Sequence, residues 1–312
     1  MAWLHASFSR IPPDEVRGAL LSVGVSVLLT SLKFLAYYLT GSAAIFSDAM
    51  ESIVHVLASS FAFYALAVAH TPPDEEHPYG HGKVEFFSAG FEGGMILLAA
   101  VVIVIRTLDA LLFHPLEIEK LGVGLALITF AMLANGAVGL VLIRLGNRHH
   151  SATLRADGYH LLSDAITTVA ALVALLLMKA FGWRLADPII ALLIGLYIAY
   201  LGLKLMRQSV EGLMDRQDAG DERMLKTILE SHLGPAGQAP TICSYHKLRH
   251  RHSGRYHWVD LHIMVPAGRS VEQGHAVASA IEFEIQRALV QANATAHVEP
   301  CHDANCAHCL GE

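Results

Sequence analysis

The chain has 312 residues, of which 54% are hydrophobic and only 16% are charged, and its formal net charge is -6. Soluble domains usually carry about 25% charged residues, so this deficit predicts a membrane protein. The negative net charge argues against a nucleic-acid-binding protein. The apolar excess fills the first two thirds of the chain and fades after about residue 208.

Six apolar segments in this part of the chain are long enough to cross a bilayer, which takes roughly 20 residues in a helix. They predict an α-helical membrane bundle of six transmembrane helices within residues 1–208, and the short loops favour antiparallel neighbours. No signal peptide is evident in residues 1–16, so we expect the first helix to act as an uncleaved insertion signal. The segments are 17–39, 43–69, 86–112, 119–145, 153–181 and 186–207.

The basic residues predict the orientation of this bundle. An even number of helices leaves both termini on one side of the membrane, and lysine and arginine are enriched on the cytoplasmic side. The bias predicts cytoplasmic termini and a multi-pass protein of the cell (inner) membrane. The terminal side would hold Arg10, Arg17, Lys83, Arg144, Arg148, Arg155, Lys204 and Arg207, against Arg106, Lys120, Lys179 and Arg184 on the other.

The second and fifth apolar segments carry matched pairs of ionisable residues. Glu51 and His55 are four residues apart, as are His160 and Asp164, so each pair lies on one face of its helix. An unpaired charge at mid-bilayer costs at least about 2.5 kcal/mol, which favours a function for these groups over structural pairing alone. Two nitrogen and two oxygen donors can close a tetrahedral site that suits Zn²⁺.

The loop after the second segment reads Thr-Pro-Pro-Asp-Glu-Glu-His-Pro-Tyr-Gly-His-Gly-Lys over residues 71–83. Its Asp74, His77 and His81 can converge on an ion, because Pro78 and Gly80 bend the chain between the two imidazoles. Polar loops are common, so composition alone makes this second site a weaker prediction.

Residues 209–299 have the pattern of a cytoplasmic α+β domain. The expected order is α-β-β-α-β, with a turn at Ser253-Gly254 between the first two strands and helices on one face of the sheet. Histidines without an assigned position in this domain are expected to be exposed to solvent; they are His232, His250, His252 and His257. The predicted elements are a helix at 219–233, strands at 242–251 and 256–265, a helix at 271–290 and a strand at 294–299.

A Cys/His-rich tail follows at residues 300–312. Cys301, Cys306 and Cys309 supply up to three thiolates, which the cytosol keeps reduced, and this clustering favours a metal role over a disulfide scaffold. Three alternatives stay open for the tail: it completes a cytoplasmic site, it binds metal separately, or it is disordered.

Four stretches together resemble the cation diffusion facilitator family of divalent metal transporters. They are SDAMESIVH in the second segment, HPYGHGKVE after it, LRADGYHLLSD in the fifth, and the histidine spacing that begins at DLH in the α+β domain of residues 209–299, called the tail domain below. The resemblance covers residues 17–299 and implies a homodimer in the lipid bilayer that exchanges outgoing Zn²⁺ for incoming protons. It implies no enzymatic activity.

The resemblance also implies particular sites. It puts transport on Glu51, His55, His160 and Asp164, although the family more often has Asp or His at the first position and Asp at the second. One histidine per pair still favours Zn²⁺ over harder ions. It implies a second site in the loop at Asp74, His77 and His81, and an ion pair of Lys83 with Asp215. Its ferredoxin-like, metallochaperone-like tail domain would use Zn²⁺ as a structural or regulatory ligand at His246, His262, His275, His297 and Glu299.

Other functions remain as alternatives. An intramembrane metal hydrolase is disfavoured, because the chain lacks an HExxH helix and a plausible nucleophile beside a membrane histidine. A membrane metal sensor without transport would explain the tail domain but not the intramembrane ligands. Within the transporter class, the alternatives are export of Fe²⁺, Cd²⁺, Co²⁺ or Mn²⁺.

Overall fold

The computed structural model separates into two units, Met1–Pro73 with His81–Val210, and Asp74–Gly80 with Glu211–Glu312. The description of the structure covers residues 11–40, 43–112, 122–181, 186–234, 242–289 and 291–302. Within those ranges it leaves out the side chains of residues 36, 39–40, 43–51, 54, 106, 110–111, 122–128, 171, 174–180 and 186–187.

The described part of the first unit consists of long helices that follow the predicted segments closely. Each begins and ends within about four residues of its expected bounds, except at the C-terminus of the last, which runs further. Large apolar side chains such as Leu20, Ile105 and Leu193 are exposed on these helices, as expected for a surface that faces lipid. The helices are α1 (Pro13–Thr40), α2 (Ala43–Ala69), α3 (Val84–Leu112), α4 (Gly122–Arg148), α5 (Ala152–Phe181) and α6 (Ala186–Leu213).

Four helices are long and apolar enough to cross a membrane over the part that the structure describes, in α1, α3, α4 and α6. In α2 the described apolar stretch is only His55–Ala69, and α5 carries Arg155, Asp157 and Asp164. Both of these helices carry predicted metal ligands, and several side chains of each lie outside the described residues.

Glycines bring α5 against α4 beside one of these ligands. A Cβ atom on Gly158 would lie 2.8 Å from the carbonyl oxygen of Gly139, and one on Gly139 would lie 2.8 Å from the carbonyl oxygen of Gly158. Such backbone approach is typical of helix pairs in membranes, where small residues let helices pack closely. Gly158 precedes His160 by two residues, so this contact helps to hold the imidazole in the bundle.

The second unit contains a three-stranded sheet, and the expected order α-β-β-α-β is confirmed. The strand order is β1-β2-β3, with β1 and β2 antiparallel and β2 and β3 parallel. Apolar residues of β2 alternate toward the core, where they meet the buried faces of the two helices. The elements are α7 (Ala219–Ser231), β1 (Ser244–Ser253), β2 (Tyr256–Pro266), α8 (Val271–Ala288) and β3 (Ala292–Cys301).

Side-chain caps set where α7 and α8 begin. Asp218 accepts hydrogen bonds from the backbone N–H groups of Gly220 and Asp221, at 2.7 and 3.1 Å. Ser270 and Gln273 form a reciprocal capping box at the start of α8. These caps satisfy backbone donors that a helix leaves unpaired at its N-terminus.

A β-bulge in β1 divides its histidines between the two faces of the sheet. His246 pairs with His262 and Arg249 pairs with Asp260, so β1 has one residue more than β2 between these pairs. Lys247, within the bulge, has a φ of 52°. Because side chains alternate along a strand, the extra residue puts His246 and His250 on opposite faces.

Candidate metal centres

The first group of potential ligands lies in the helical unit, where α2 and α5 meet. One donor atom each from His55, His160 and Asp164 lies within 4.8 Å of the others. Nδ1 of His55 is 3.0 Å from Oδ2 of Asp164 and 3.2 Å from Nε2 of His160. The structure therefore brings together three of the four predicted transport ligands. The side chain of Glu51, the fourth, lies outside the described residues.

A carboxylate that the sequence reasoning missed lies beside this group. Glu92 of α3 is fully buried, and its Oε2 is 3.5 Å from Nδ1 of His160. Its signal was present in the sequence, because an acidic residue inside an otherwise apolar helix is costly without a function. Nε2 of His160 faces His55 while Nδ1 faces Glu92, so the imidazole lies between a ligand and a potential orienting group.

Polar side chains continue from this group toward α1. Asp157 is buried, and its Oδ1 accepts a hydrogen bond from the hydroxyl of Ser59 at 3.3 Å. Ser59 in turn contacts Ser22 and Ser26 at 3.3 and 3.4 Å. The hydroxyl of Ser59 thus gives the buried carboxyl group of Asp157 a polar partner in the bundle.

Two of the predicted loop ligands, Asp74 and His77, lie close together in the second unit, with Nδ1 of His77 3.4 Å from Oδ1 of Asp74. His81, the third, belongs to the first unit, and each unit is described by itself. The backbone N–H of His77 donates to Oδ1 of Asp74 at 2.6 Å, and the φ of 79° at Gly80 turns the chain. Asp74 and His77 are exposed. Asp74 and His77 can therefore present donors to an ion, and a ligand role for the three loop residues stays a prediction.

In the tail domain, histidines form a row across all three strands. His262 is the register partner of His246 on β1 and of His297 on β3. Glu299 joins the row: its Oε1 is 2.6 Å from Nδ1 of His262, and its Oε2 is 3.2 Å from Nε2 of His246. Nε2 of His297 lies 3.8 Å from Oε1 of Glu299. This histidine row presents imidazole and carboxylate donors on the face of the sheet opposite the helices.

The contact with His262 lowers the pKa of Glu299, so this carboxyl is ionised at neutral pH. Among the described residues, His275 is not grouped with the row and is exposed on α8. Cys301 is buried at the end of β3. Cys306 and Cys309 lie outside the described residues, so a metal role for the three cysteines stays a prediction.

A second histidine group in the tail domain was not expected. His250 and His257 are only 3% and 2% exposed, so the expectation that they face solvent was wrong. The bulge in β1 explains the error, because it turns His250 toward the face that carries His257. Burial lowers the pKa of His250 and lowers that of His257 to about 4. His232 is also mostly buried, with its Nε2 2.7 Å from Oε2 of Glu284.

The predicted ion pair between Lys83 and Asp215 stays a prediction. It would join the two units of the chain, each of which is described by itself. Within the tail unit, Asp215 contacts Arg251 at 3.5 Å.

Comparison with known proteins identifies two family domains in the chain. Residues 19–214 match the model of the cation efflux transmembrane domain, and residues 236–301 match that of the cytoplasmic domain of cation efflux proteins. A protein of Synechocystis sp. named as an uncharacterized transporter is 37% identical over 286 residues, which cover 91% of this chain and 90% of the relative.

Two further relatives are named cation-efflux pump FieF. That of Shewanella oneidensis is 28% identical over 89% of this chain and 92% of its own length. That of Serratia proteamaculans is 28% identical over 91% of this chain and 92% of its own length. A helical membrane unit that gathers histidine and carboxylate side chains, joined to a domain that matches the cytoplasmic domain of cation efflux proteins, defines a membrane transporter. The chain belongs to the cation diffusion facilitator family of cation efflux transporters, which confirms the resemblance seen in the sequence.

Proposed function

We propose that this transporter exports Zn²⁺ from the cytoplasm across the inner membrane in exchange for protons. The observation that carries the proposal is the group of His55, His160 and Asp164 where α2 and α5 meet. Two imidazoles and one carboxylate form a donor set that suits Zn²⁺, because imidazole is a borderline nitrogen donor, whereas Mn²⁺ prefers oxygen ligands. Glu51 lies one turn before His55 in α2 and is proposed as the fourth ligand.

Proton exchange follows from the chemistry of these ligands. An imidazole must be deprotonated to bind a metal ion, so binding releases protons and protonation releases the ion. Exposure to the cytoplasm favours Zn²⁺ binding, and exposure to a more acidic outer side favours its release. Alternating exposure of one site thereby couples outward Zn²⁺ flow to inward proton flow.

The remaining architecture is proposed to serve this cycle. All six long helices cross the membrane, with both termini in the cytoplasm, and the tail domain is ferredoxin-like. The match to the family's cytoplasmic domain supports a homodimer through this part of the chain. Zn²⁺ bound at the histidine row and at the loop residues would regulate the cycle, and Lys83 with Asp215 would link the membrane and cytoplasmic parts.

Zinc uptake into proteoliposomes with an imposed pH gradient tests the transport site. We expect His160→Ala and Asp164→Ala to abolish uptake, because each removes one ligand from a group of three described donors. His150→Ala is the matched control, because His150 is exposed outside this group. Zinc uptake by either site variant at the wild-type rate would refute the proposed site.

The same vesicles test coupling and metal choice. Collapse of the pH gradient should slow zinc uptake, and an unchanged rate would refute antiport. Competition by Fe²⁺, Cd²⁺, Co²⁺ and Mn²⁺ ranks the possible cargo ions. The ligand set predicts that Mn²⁺ competes least, and preferential Mn²⁺ transport would contradict the choice of Zn²⁺.

A further inference from the structure

The buried histidine group of the tail domain lies on the other face of the sheet from the histidine row. His250 and His252 of β1 share a face, because they are two residues apart, and His252 is the register partner of His257 on β2. The buried positions of β2 that follow His257 are Val259, Leu261 and Ile263. The group therefore lies at the end of the hydrophobic core, separate from the ligands considered so far.

An acidic residue from α7 completes this group. One donor atom each from Asp221, His250 and His257 lies within 4.8 Å of the others. Nδ1 of His250 is 3.0 Å from Nε2 of His257, and Nδ1 of His257 is 3.9 Å from Oδ2 of Asp221. His252 adds a fourth donor, because its Nε2 is 2.9 Å from the same carboxylate oxygen.

Hydrogen bonding among these side chains leaves one buried nitrogen of the group unsatisfied. A single proton shared between His250 and His257 accounts for their contact, but Nε2 of His250 is buried without a hydrogen-bond partner among the described residues. The 3.9 Å separation of His257 from Asp221 is too long for a hydrogen bond. Buried polar groups are normally paired, so this arrangement calls for a further partner.

The donor spacing fits a tetrahedral metal ion. Zinc–nitrogen bonds of about 2.0–2.1 Å with tetrahedral angles separate neighbouring donors by roughly 3.3 Å. The separations of 3.0 Å between His250 and His257 and of 2.9 Å between His252 and Asp221 are close to this value. The 3.9 Å contact of Asp221 is to Nδ1 of His257, the ring nitrogen opposite the one that faces His250, and an imidazole gives an ion only one of its nitrogens. One donor atom each from Asp221, His250 and His257 nevertheless lies within 4.8 Å of the others, which is close enough to converge on one ion. Three imidazoles and one carboxylate form a donor set that suits Zn²⁺.

We infer that Asp221, His250, His252 and His257 form a second metal site in the tail domain, which binds Zn²⁺ or Co²⁺. By binding Asp221 together with the three histidines, the ion links the first turn of α7 to the end of the β1–β2 hairpin. The site is distinct from the histidine row, because the two lie on opposite faces of one sheet. It is also independent of the proposed transport site, which lies in the other unit.

Trp258 provides a local probe, because it follows His257 directly. The full-length protein in detergent, with Trp3→Phe and Trp183→Phe, retains Trp258 as its one tryptophan. His77→Ala is added to remove the loop ligand, since Tyr79 of that loop contacts Trp258 with ring centroids 5.0 Å apart. After chelator treatment, Co²⁺ should quench Trp258 fluorescence, and Zn²⁺ should reverse the quenching. Absence of Co²⁺-dependent quenching in this protein would overturn the inference.

Substitutions then identify the ligands. We expect Asp221→Asn with His257→Gln to raise the Co²⁺ concentration for half-quenching by at least about 10-fold. His232→Gln is the matched control, because His232 contacts Glu284 instead of this group. Asp221→Asn alone tests the site without changing a buried imidazole, and it should also raise this concentration. An unchanged concentration in folded variants would show that the group is only a hydrogen-bonded cluster.

A transport-site variant separates this inference from the proposed function. His160→Ala should abolish zinc uptake while leaving the quenching of Trp258 unchanged. Loss of quenching in His160→Ala would contradict an independent tail-domain site. Wild-type quenching combined with absent zinc transport would refute the proposed function alone.

Discussion

Glu92→Gln tests whether a carboxylate outside the predicted ligand set tunes the transport site. Oε2 of Glu92 lies 3.5 Å from Nδ1 of His160, while Nε2 of the same ring faces His55 at 3.2 Å. A carboxylate in this position orients a metal-binding imidazole and raises its basicity. The substitution keeps the size of the side chain and replaces its carboxyl group with an amide.

The expected loss of zinc affinity in Glu92→Gln follows from the distance between Glu92 and His160. Loss of a group that orients a metal ligand typically lowers metal affinity by 10–100-fold, or about 1.4–2.7 kcal/mol. A separation of 3.5 Å is long for a hydrogen bond, so we expect the lower end of this range. The zinc concentration for half-maximal uptake should therefore rise about 10-fold, with a smaller change in maximal rate.

Zinc uptake by proteoliposomes over a range of zinc concentrations measures both quantities. Glu85→Gln is the matched control, because Glu85 is a buried acid of the same helix that accepts a hydrogen bond from Ser151 instead. We expect that variant to keep the wild-type half-maximal concentration. An unchanged value in Glu92→Gln, or the same increase in both variants, would refute an orienting role.

Three further predictions concern packing, helix capping and the histidine row. Gly158→Ala should destabilise the protein by about 1–3 kcal/mol, because the added Cβ atom would clash with the backbone of α4. Thermal unfolding should show no such loss for the control Gly24→Ala, where a Cβ atom meets nothing within 4 Å. Asp218→Ala should lower the stability of α7, measured by hydrogen exchange, by about 1 kcal/mol, whereas Asp218→Asn should keep the cap. Equal protection of α7 in the wild type and both variants would contradict this role of Asp218. Backbone hydrogen bonds lower the pKa of Asp218, so its contribution should be present above about pH 4 and lost as pH falls through that lowered pKa. Glu299→Gln should weaken zinc binding measured by calorimetry on the full-length protein, and an unchanged enthalpy and affinity would argue against its ligand role.

Helix geometry made the intramembrane ligands predictable from sequence. Residues four apart share a helix face whatever the surroundings, so the pair of His160 and Asp164 could be identified without knowledge of the fold. The apolar segments were equally readable, because the bilayer sets a minimum length for a spanning helix. Their positions along the chain agree with the observed helices.

The partners across helices were not predictable in the same way. Glu92 is more than sixty residues from His160 in sequence, and only the packing of α3 against α5 brings the two together. The close approach at Gly139 and Gly158 sets the position of α5 in the bundle, and glycine content alone does not reveal which helix each one contacts.

In the tail domain, the one extra residue of the bulge in β1 explains why some features could be predicted from the sequence and others could not. The sequence by itself determined the strands and the order of elements, because alternation and turn residues are local signals. The candidate ligands of the histidine row came from the resemblance to the family. The tertiary structure alone decided that His250 turns inward toward His257 and Asp221. A β-bulge reverses the faces of all later residues in its strand relative to earlier ones, and the pairing of β1 with β2, rather than the local sequence, locates it.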